Sequence, residues 1–293
     1  MAVLLFMLLF LSIATAQEKP IIIATWNVKD FFDSVDDPLK EDTIYPPEAV
    51  SLKIRSIATV IKAIDPDVLA LQEVENLDLL KRLNSEGGLN YSEAVLVEGN
   101  DPRGIDVALL SRLKVTEVRS HKDDDLPDLP GIPIDYRFSR DCLEVHLEAP
   151  SGLKFIALVN HFVSKAQGAE ITLPRREAQA IRVRKIVEEL QAANPEVKIV
   201  VLGDLNDTPD SSPIKKLTKG KPKDSRLYDA TSVLPPQERY SFVFRGVGEL
   251  IDYALFNRSF KPLIDNSSVR ILHDPIVDQA SDHDPVIVGV KSR

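Results

Sequence analysis

The sequence predicts an α/β fold, and three observations predict it. Short apolar runs of strand length recur along the chain. They alternate with stretches whose apolar residues fall at helical spacing. Several of the runs lead straight into acidic, amide or histidine residues, and open α/β sheets carry their chemistry at such strand ends. The clearest is Lys198-Ile199-Val200-Val201-Leu202, which enters Gly203-Asp204-Leu205-Asn206-Asp207. Ile21 to Ala24 leads to Trp26-Asn27, Val68 to Leu71 to Gln72-Glu73, and Ile156 to Val159 to Asn160-His161. Ser281-Asp282-His283-Asp284 precedes the run Val286 to Val288. Five strands with polar ends predict one oxygen-rich, histidine-containing site.

The other elements follow in order. Lys29 to Pro47 is polar and acidic and reads as a surface loop. Ser51 to Ile64 reads as a helix, with Leu52, Ile57, Val60, Ile61 and Ile64 near helical spacing. Asp65-Pro66-Asp67 ends it and starts the strand that leads to Glu73. Leu77 to Leu83 reads as a short helix, and Tyr91 to Val97 and Ile105 to Leu110 as strands. His121 to Asp135, rich in Asp and Pro, is a long surface loop. Cys142 lies in an alternating strand pattern ending near Leu147. Pro174 to Ala193 reads as a second helix, with Pro174 in its first turn and Ala180, Val183, Val187 and Leu190 on one face. Lys215 to Asp229 reads as a basic, polar loop. Tyr240 to Phe244, a Gly246-Val247-Gly248 turn and Leu250 to Phe256 read as a hairpin. There is no internal repeat and no clear linker, so one domain is expected.

Val3 to Leu11 is almost wholly apolar, and Ala14-Thr15-Ala16 has the small-x-small form of a signal-peptidase site. Residues 1–16 are therefore expected to be a secretory signal, residues 17–293 the catalytic domain, and the protein secreted or periplasmic. No other segment is apolar enough to span a membrane, so no stable membrane association is expected after cleavage. With 44% hydrophobic residues the chain can bury a sizeable core. A net charge of -9 argues against passive, avid nucleic-acid binding, which relies on Lys and Arg. It leaves room for an enzyme that meets phosphates through a metal and a few arginines. Cys142 is the single cysteine, so no intramolecular disulfide forms and a structural thiol is expected.

The strand ends carry the chemistry. Glu73 and Asp282 flank apolar strands, where an unpaired charge is expensive, and a hard cation such as Mg²⁺ relieves that cost through oxygen ligands. His161 and His283 sit in polar motifs at strand ends, unlike His121, His146 and His273. Asp252, in Leu250-Ile251-Asp252-Tyr253, is placed to orient His283 from another strand and raise its basicity. Arg103 and Arg140 each precede a strand, and a guanidinium suits bidentate phosphate binding. Lys165, Lys215, Lys216, Lys219, Lys221 and Lys223 make local basic spots that either solvate loops or border a groove.

Six motifs then occur in one order: Thr25-Trp26-Asn27, Leu71-Gln72-Glu73-Val74, Asn160-His161-Phe162, Gly203-Asp204-Leu205-Asn206, Ile251-Asp252-Tyr253 and Ser281-Asp282-His283-Asp284-Pro285-Val286. Together they resemble the endonuclease/exonuclease/phosphatase superfamily, the deoxyribonuclease I-like fold, over essentially all of residues 17–293. Asp101 to Asp106 and the Tyr240 to Tyr253 segment look most like its bacterial secreted nuclease-type members. The resemblance implies a four-layer sandwich of two packed mixed β-sheets flanked by helices. It implies Mg²⁺ (or Mn²⁺ or Ca²⁺) held through Glu73 with Asn27 and Asp282. It implies a His283–Asp252 catalytic couple, Asp204 and Asn206 to position water and hold phosphate, and His161 as a second phosphate contact. The expected reaction is in-line attack of water on a phosphate ester, with nucleic acid as substrate and the chain a monomer. Whether Asp204 or His283 takes the proton stays open.

The same fold also serves lipid and inositol phosphates. Membrane-acting relatives carry an exposed aromatic hairpin, and the sequence shows no such cluster and only one Trp. Gly203-Asp204 is also similar to two-metal calcineurin-like phosphoesterases, but their D-x-H and G-N-H-[DE] segments are missing. A non-catalytic binding protein would have no need for competent side chains at every site position.

Overall fold

The computed structural model describes residues 19–133, 135–221 and 223–292. The segment 1–16, expected to be a secretory signal, lies outside them. No helix among the described residues is long and apolar enough to cross a membrane.

Two six-stranded mixed sheets form the centre. Strands of the first are β1 (Ile21–Phe31), β2 (Val68–Val74), β3 (Glu93–Leu96), β4 (Asp106–Ser111), β13 (Ile264–Ile271) and β14 (Val286–Val290), in the order β13-β14-β1-β2-β4-β3. The second holds β5 (Lys114–Arg119), β6 (Cys142–Glu148), β7 (Lys154–His161), β8 (Ile199–Asp204), β9 (Tyr228–Asp229) and β12 (Asp252–Phe256), in the order β5-β6-β7-β8-β12-β9. β1 runs parallel to β2, and β7 parallel to β8; their neighbours are antiparallel. β1 and β2 face β8 and β12 across the interior.

Period-two alternation assigns the faces. Ile21 and Ile23 of β1 and Val68 and Ala70 of β2 pack between the sheets with Leu202, Ala254 and Val288. Ala24, Trp26, Leu69 and Leu71 point the other way, under helices α1 (Pro47–Ile64) and α2 (Leu77–Glu86). Ile54, Ile57, Val60, Ile61 and Leu80 cover them. On the outer face of the second sheet lies α3 (Ala169–Ala193), through Ala180, Val183, Ile186 and Val187. The arrangement is the expected four-layer sandwich.

Differences from the sequence reading have local causes. β1 continues past Asn27 to Phe31, because Phe31 and Phe32 are buried there. α1 starts one turn early, at Pro47, whose missing N–H costs nothing at a first helical turn. α3 starts at Ala169, so Pro174 lies inside it rather than in its first turn. The expected 215–229 loop begins inside a helix, α4 (Ser212–Thr218), which buries Pro213, Ile214 and Leu217 in a pattern too short to read. The hairpin is not Tyr240 to Phe256. It is the separate pair β10 (Phe242–Phe244) and β11 (Val247–Glu249), while β12 joins β8. Cys142 is buried in β6, and burial pushes its thiol up, as suits a structural thiol.

Candidate active site

One rung of the second sheet carries three of the side chains expected at the site. His161 at the end of β7 pairs in register with Asp204 at the end of β8, and Asp204 pairs with Asp252 at the start of β12. Partners in register point to the same face, so all three project between the sheets. Gly203 makes the β7–β8 approach possible. It has φ 132°, and a Cβ there would lie 1.9 Å from the Asn160 carbonyl oxygen. Only glycine fits.

The first sheet answers with Asn27 and Glu73. Asn27 shares the inward face with Ile21, Ile23 and Thr25. Strict alternation would send Glu73 outward, under the helices. Instead Glu73 has φ 64° and is skipped in the β2–β4 register, where Gln72 opposes Val107 and Val74 opposes Asp106. This bulge turns its carboxylate inward. Lys29 and Asp30, at φ 52° and 44°, bend β1 to match, and the Asp30 amide donates to Glu73 Oε2 at 2.8 Å. Left-handed backbone at such residues is costly and is concentrated here.

Asn27 Nδ2 joins the sheets, donating to Glu73 Oε1 at 3.0 Å and to Asp204 Oδ2 at 3.1 Å. Asn206, also left-handed at φ 53°, donates from its backbone to Asp204 Oδ1 (2.8 Å) and from its side chain to Asp204 Oδ2 and the Phe162 carbonyl (both 3.1 Å). His161 Nε2 lies 3.5 Å from Asp204 and 3.9 Å from Glu73. Its Nδ1 is buried without a hydrogen-bond partner among the described residues. Burial, then Arg140 and His283, hold the ring's pKa well below its usual range. His161 is thus neutral, with Nε2 the nitrogen that faces the cavity's carboxylates.

His283 arrives from the loop before β14. Its Nδ1 is 2.8 Å from Asp252 Oδ2, and its Nε2 is 4.0 Å from Asp204 Oδ2. The Trp26 indole donates to the His283 carbonyl at 2.7 Å, and Ser281 Oγ ties the loop to the Asn27 carbonyl. Burial opposes a charge on the ring, but Asp252, through its charge and its bond, outweighs it with help from Asp204 and Asp282 and raises His283 to about 10. Burial, then Asp252, pushes Asp204 up to about 7. Burial opposes Glu73's charge, but bonds from Asn27 and the Asp30 amide hold its pKa below the usual value.

Every residue in these contacts opens on a cavity of about 690 Å³ or supports one that does. Asp282 lines it while bound to Lys29 Nζ at 2.7 Å. Arg103 and Arg140 line it too, and they share Asp101. Arg140 Nε is 2.9 Å from Asp101 Oδ2, and Arg103 Nε is 3.6 Å from its Oδ1. Arg140 is buried in this pair, so it is no surface salt bridge. All ten residues singled out in the sequence therefore converge, nine on the cavity wall or its bonds and Asp252 behind His283.

The sequence reading missed the supports. Ser241 Oγ donates to Asp252 Oδ2 at 2.7 Å and accepts the Ile251 and Asp252 amides. Phe242 stacks at a tilt on the His283 ring, centroids 4.9 Å apart. Their signal was the apolar hairpin pattern, which shows a strand but not what it braces. Phe244 also lines the cavity and is half exposed beside Val243 and Val247, so an exposed apolar hairpin does exist at the site's edge. Asp207 is held by Arg176 at 2.8 Å and anchors the turn to α3.

Crowded oxygen donors suit a hard divalent cation. Asp204 and Glu73 face one cavity, joined by an amide, and Asp30 is pushed up by burial and by Glu73. The nearest ligand atoms of Asp204, Asp252 and His283 all lie within 4.8 Å of one another. Of the expected ligands, Glu73 and Asp282 present carboxylates. Asn27 presents Nδ2 to its neighbours, with its Oδ1 accepting from the Lys29 amide.

Solved structures share this architecture. The catalytic domain of human Nocturnin, determined with bound sulfate, has a TM-score of 0.65 at 19% identity, covering 92% of this chain and 93% of that one. Truncated TDP2 of Caenorhabditis elegans gives 0.63 at 18%, covering 92% and 97%. A mannosyl-6-phosphatase of Bacteroides thetaiotaomicron gives 0.62 at 16%, covering 92% and 98%. At such identities they establish the fold. No curated protein sequence matches the chain significantly. The sequence profile of the endonuclease/exonuclease/phosphatase family does, over residues 22–273, a span that holds both sheets' contributions except the His283 loop. With the phosphoesterase fold and a metal-compatible donor set already in place, that match makes the chain a member of the endonuclease/exonuclease/phosphatase family.

Proposed function

We propose that the chain is a divalent-metal-dependent nuclease, hydrolysing phosphodiester bonds of DNA or RNA by in-line attack of water. One observation carries this reading: the buried Asp252–His283 couple faces Asp204 and Asn206 across a cavity that two arginines line. Asp204 and Asn206 position the water. His283, held charged by Asp252, balances the developing negative charge, and its Nε2 exchanges a proton there. His161 Nε2–H, Arg103 and Arg140 hold phosphate oxygens. Glu73 and Asp282, helped by Asn27, hold the cation; Mg²⁺ bound there supplies Lewis-acid stabilisation of the phosphate. Export through residues 1–16 and action as a monomer belong to the same reading.

A second reading keeps the fold and changes the ester to a lipid, inositol or other small phosphate. The exposed Val243, Phe244 and Val247 favour it, since an apolar hairpin at the cavity edge suits an apolar substrate. The B. thetaiotaomicron mannosyl-6-phosphatase is a structural neighbour with a small phosphate ester as substrate. A panel of plasmid DNA, RNA, sphingomyelin, inositol phosphates and sugar phosphates, run with Mg²⁺ and with EDTA, separates the two. Nucleic-acid cleavage that EDTA abolishes is expected. Turnover of lipid or sugar phosphate without nucleic-acid cleavage overturns the nuclease reading.

A further inference from the structure

Lys29 and Asp30 wall two cavities. One is the catalytic cavity. The other, of about 490 Å³, lies between the bent end of β1 and the first turns of α1. Phe32, Tyr45, Leu52, Lys53 and Gln279 line it. The Phe32 and Tyr45 rings lie 6.4 Å apart at a tilt, and Leu52 is exposed on the rim. The Lys53 stem is half buried in this apolar wall. Its ammonium donates to the Ala280 carbonyl, and its other N–H groups have no acceptor among the described residues. Burial pushes its pKa down to about 8, against the pull of Asp30, Glu73 and Asp282 at longer range. A desolvated ammonium with one neutral partner calls for an anion. The half-buried Tyr45 ring beside an ammonium matches one ligand chemistry, a base attached to a phosphate.

We propose that this second cavity is the subsite for the nucleotide next to the scissile phosphate, with Lys53 on the flanking phosphate and Tyr45, backed by the buried Phe32, against its base. The proposal rests on the nuclease reading and adds a direction to it. A substrate chain passes from the catalytic cavity over Lys29 and Asp30 into the pocket beside α1. The acidic chain then needs no broad basic face, because the contact is local. A polymer gains from the second cavity, whereas a small ester fills only the first.

The test compares Lys53→Gln and Tyr45→Leu with the unmodified chain, in Mg²⁺, on a single-stranded oligonucleotide and on bis(4-nitrophenyl) phosphate. For the oligonucleotide, KM is expected to rise about 5- to 20-fold in each variant with kcat nearly unchanged. Rates on the small diester are expected to stay within twofold. The slope of log(kcat/KM) against log[salt] should shrink by about 1 in Lys53→Gln alone, because one phosphate contact is lost. Melting curves check both folds; the two substitutions disturb different elements, so a fold defect in one leaves the other as the test. Oligonucleotide KM unchanged in both variants overturns the subsite while leaving the nuclease reading intact. Equal losses on both substrates also overturn it, since the pocket would then act through the catalytic cavity. Hydrolysis of the small diester with no cleavage of DNA or RNA overturns the nuclease reading and the subsite with it.

Discussion

Oδ2 of Asp252 lies 2.8 Å from Nδ1 of His283 and 2.7 Å from the Ser241 hydroxyl, so one buried carboxylate oxygen sets both the orientation and the charge of the ring. Nε2 is left facing Asp204, 4.0 Å away. Asp252→Asn keeps the shape and removes the charge. We expect kcat to fall about 10²- to 10⁴-fold, with circular dichroism unchanged. His283→Ala should fall as far. The double variant should be little worse than either single one, because groups that act as a unit are non-additive. Losses that multiply would show that the two residues act separately.

Glu73 depends on its bulge. Its carboxylate accepts from Asn27 and from the Asp30 amide, and left-handed backbone brings it there. Glu73→Gln keeps the size and removes the charge from the proposed cation site. The Mg²⁺ concentration for half-maximal activity should rise at least about tenfold. The rise in melting temperature on adding Mg²⁺ should shrink in parallel, a readout independent of turnover. An unchanged Mg²⁺ response in both measurements would place the cation elsewhere.

What was legible in the sequence followed from what local pattern encodes. The central strands read correctly because both faces are buried, leaving continuous apolar runs that end on polar residues, as in Val200 to Asp204. Of the edge strands, β3 was read within Tyr91 to Val97, but β5 and β13 were not. β5 is almost wholly exposed, and β13 buries only Ile264, Val269 and Ile271, so neither offers a clear period. The site's members were legible as motifs, but their geometry was not. Nothing local shows that Glu73 flips at a bulge, that Arg140 is buried against Asp101, or that Ser241 braces Asp252. The bonds that assemble the site join residues up to 257 positions apart, as Trp26 and His283 are, and only the packing of two sheets creates them.

Gly203 of β8 pairs in register with Asn160 of β7. A Cβ would sit 1.9 Å from the Asn160 oxygen, which belongs to the backbone of β7 and cannot swing aside. The φ of 132° is also closed to other residues. Gly203→Ala must therefore separate β7 from β8 or rotate the turn. It should cost at least about 2 kcal/mol, read as a lower urea midpoint, and it should lower activity at 25 °C because His161 and Asp204 lose their register. Gly152→Ala is the matched control, with φ 87° but open space around its Cβ, and should cost about 1 kcal/mol with activity retained.

Outside the cavity's lining, Glu144 is buried on β6 between two histidines. Its Oε2 is 3.0 Å from His121 Nε2, and its Oε1 is 2.6 Å from His146 Nε2. Burial opposes its charge, but the bonds from His121 and then His146 prevail and bring its pKa down to about 2. His121 is raised, because bonds to Glu144 and Asp124 outweigh its burial. The signs differ. A lowered carboxylate stabilises the fold above its unfolded pKa, near 4.5, and loses that contribution as pH falls toward 2. A raised histidine stabilises fully below 6.5 and loses its contribution as pH rises through the raised value. The stability difference between the wild-type chain and Glu144→Gln should therefore form a plateau between about pH 4.5 and 6.5, on the order of 1–3 kcal/mol, and narrow on both sides. Urea unfolding at intervals from pH 3 to 9 measures it, and a difference that stays flat across that range would show that Glu144 and His121 do not titrate as a linked pair.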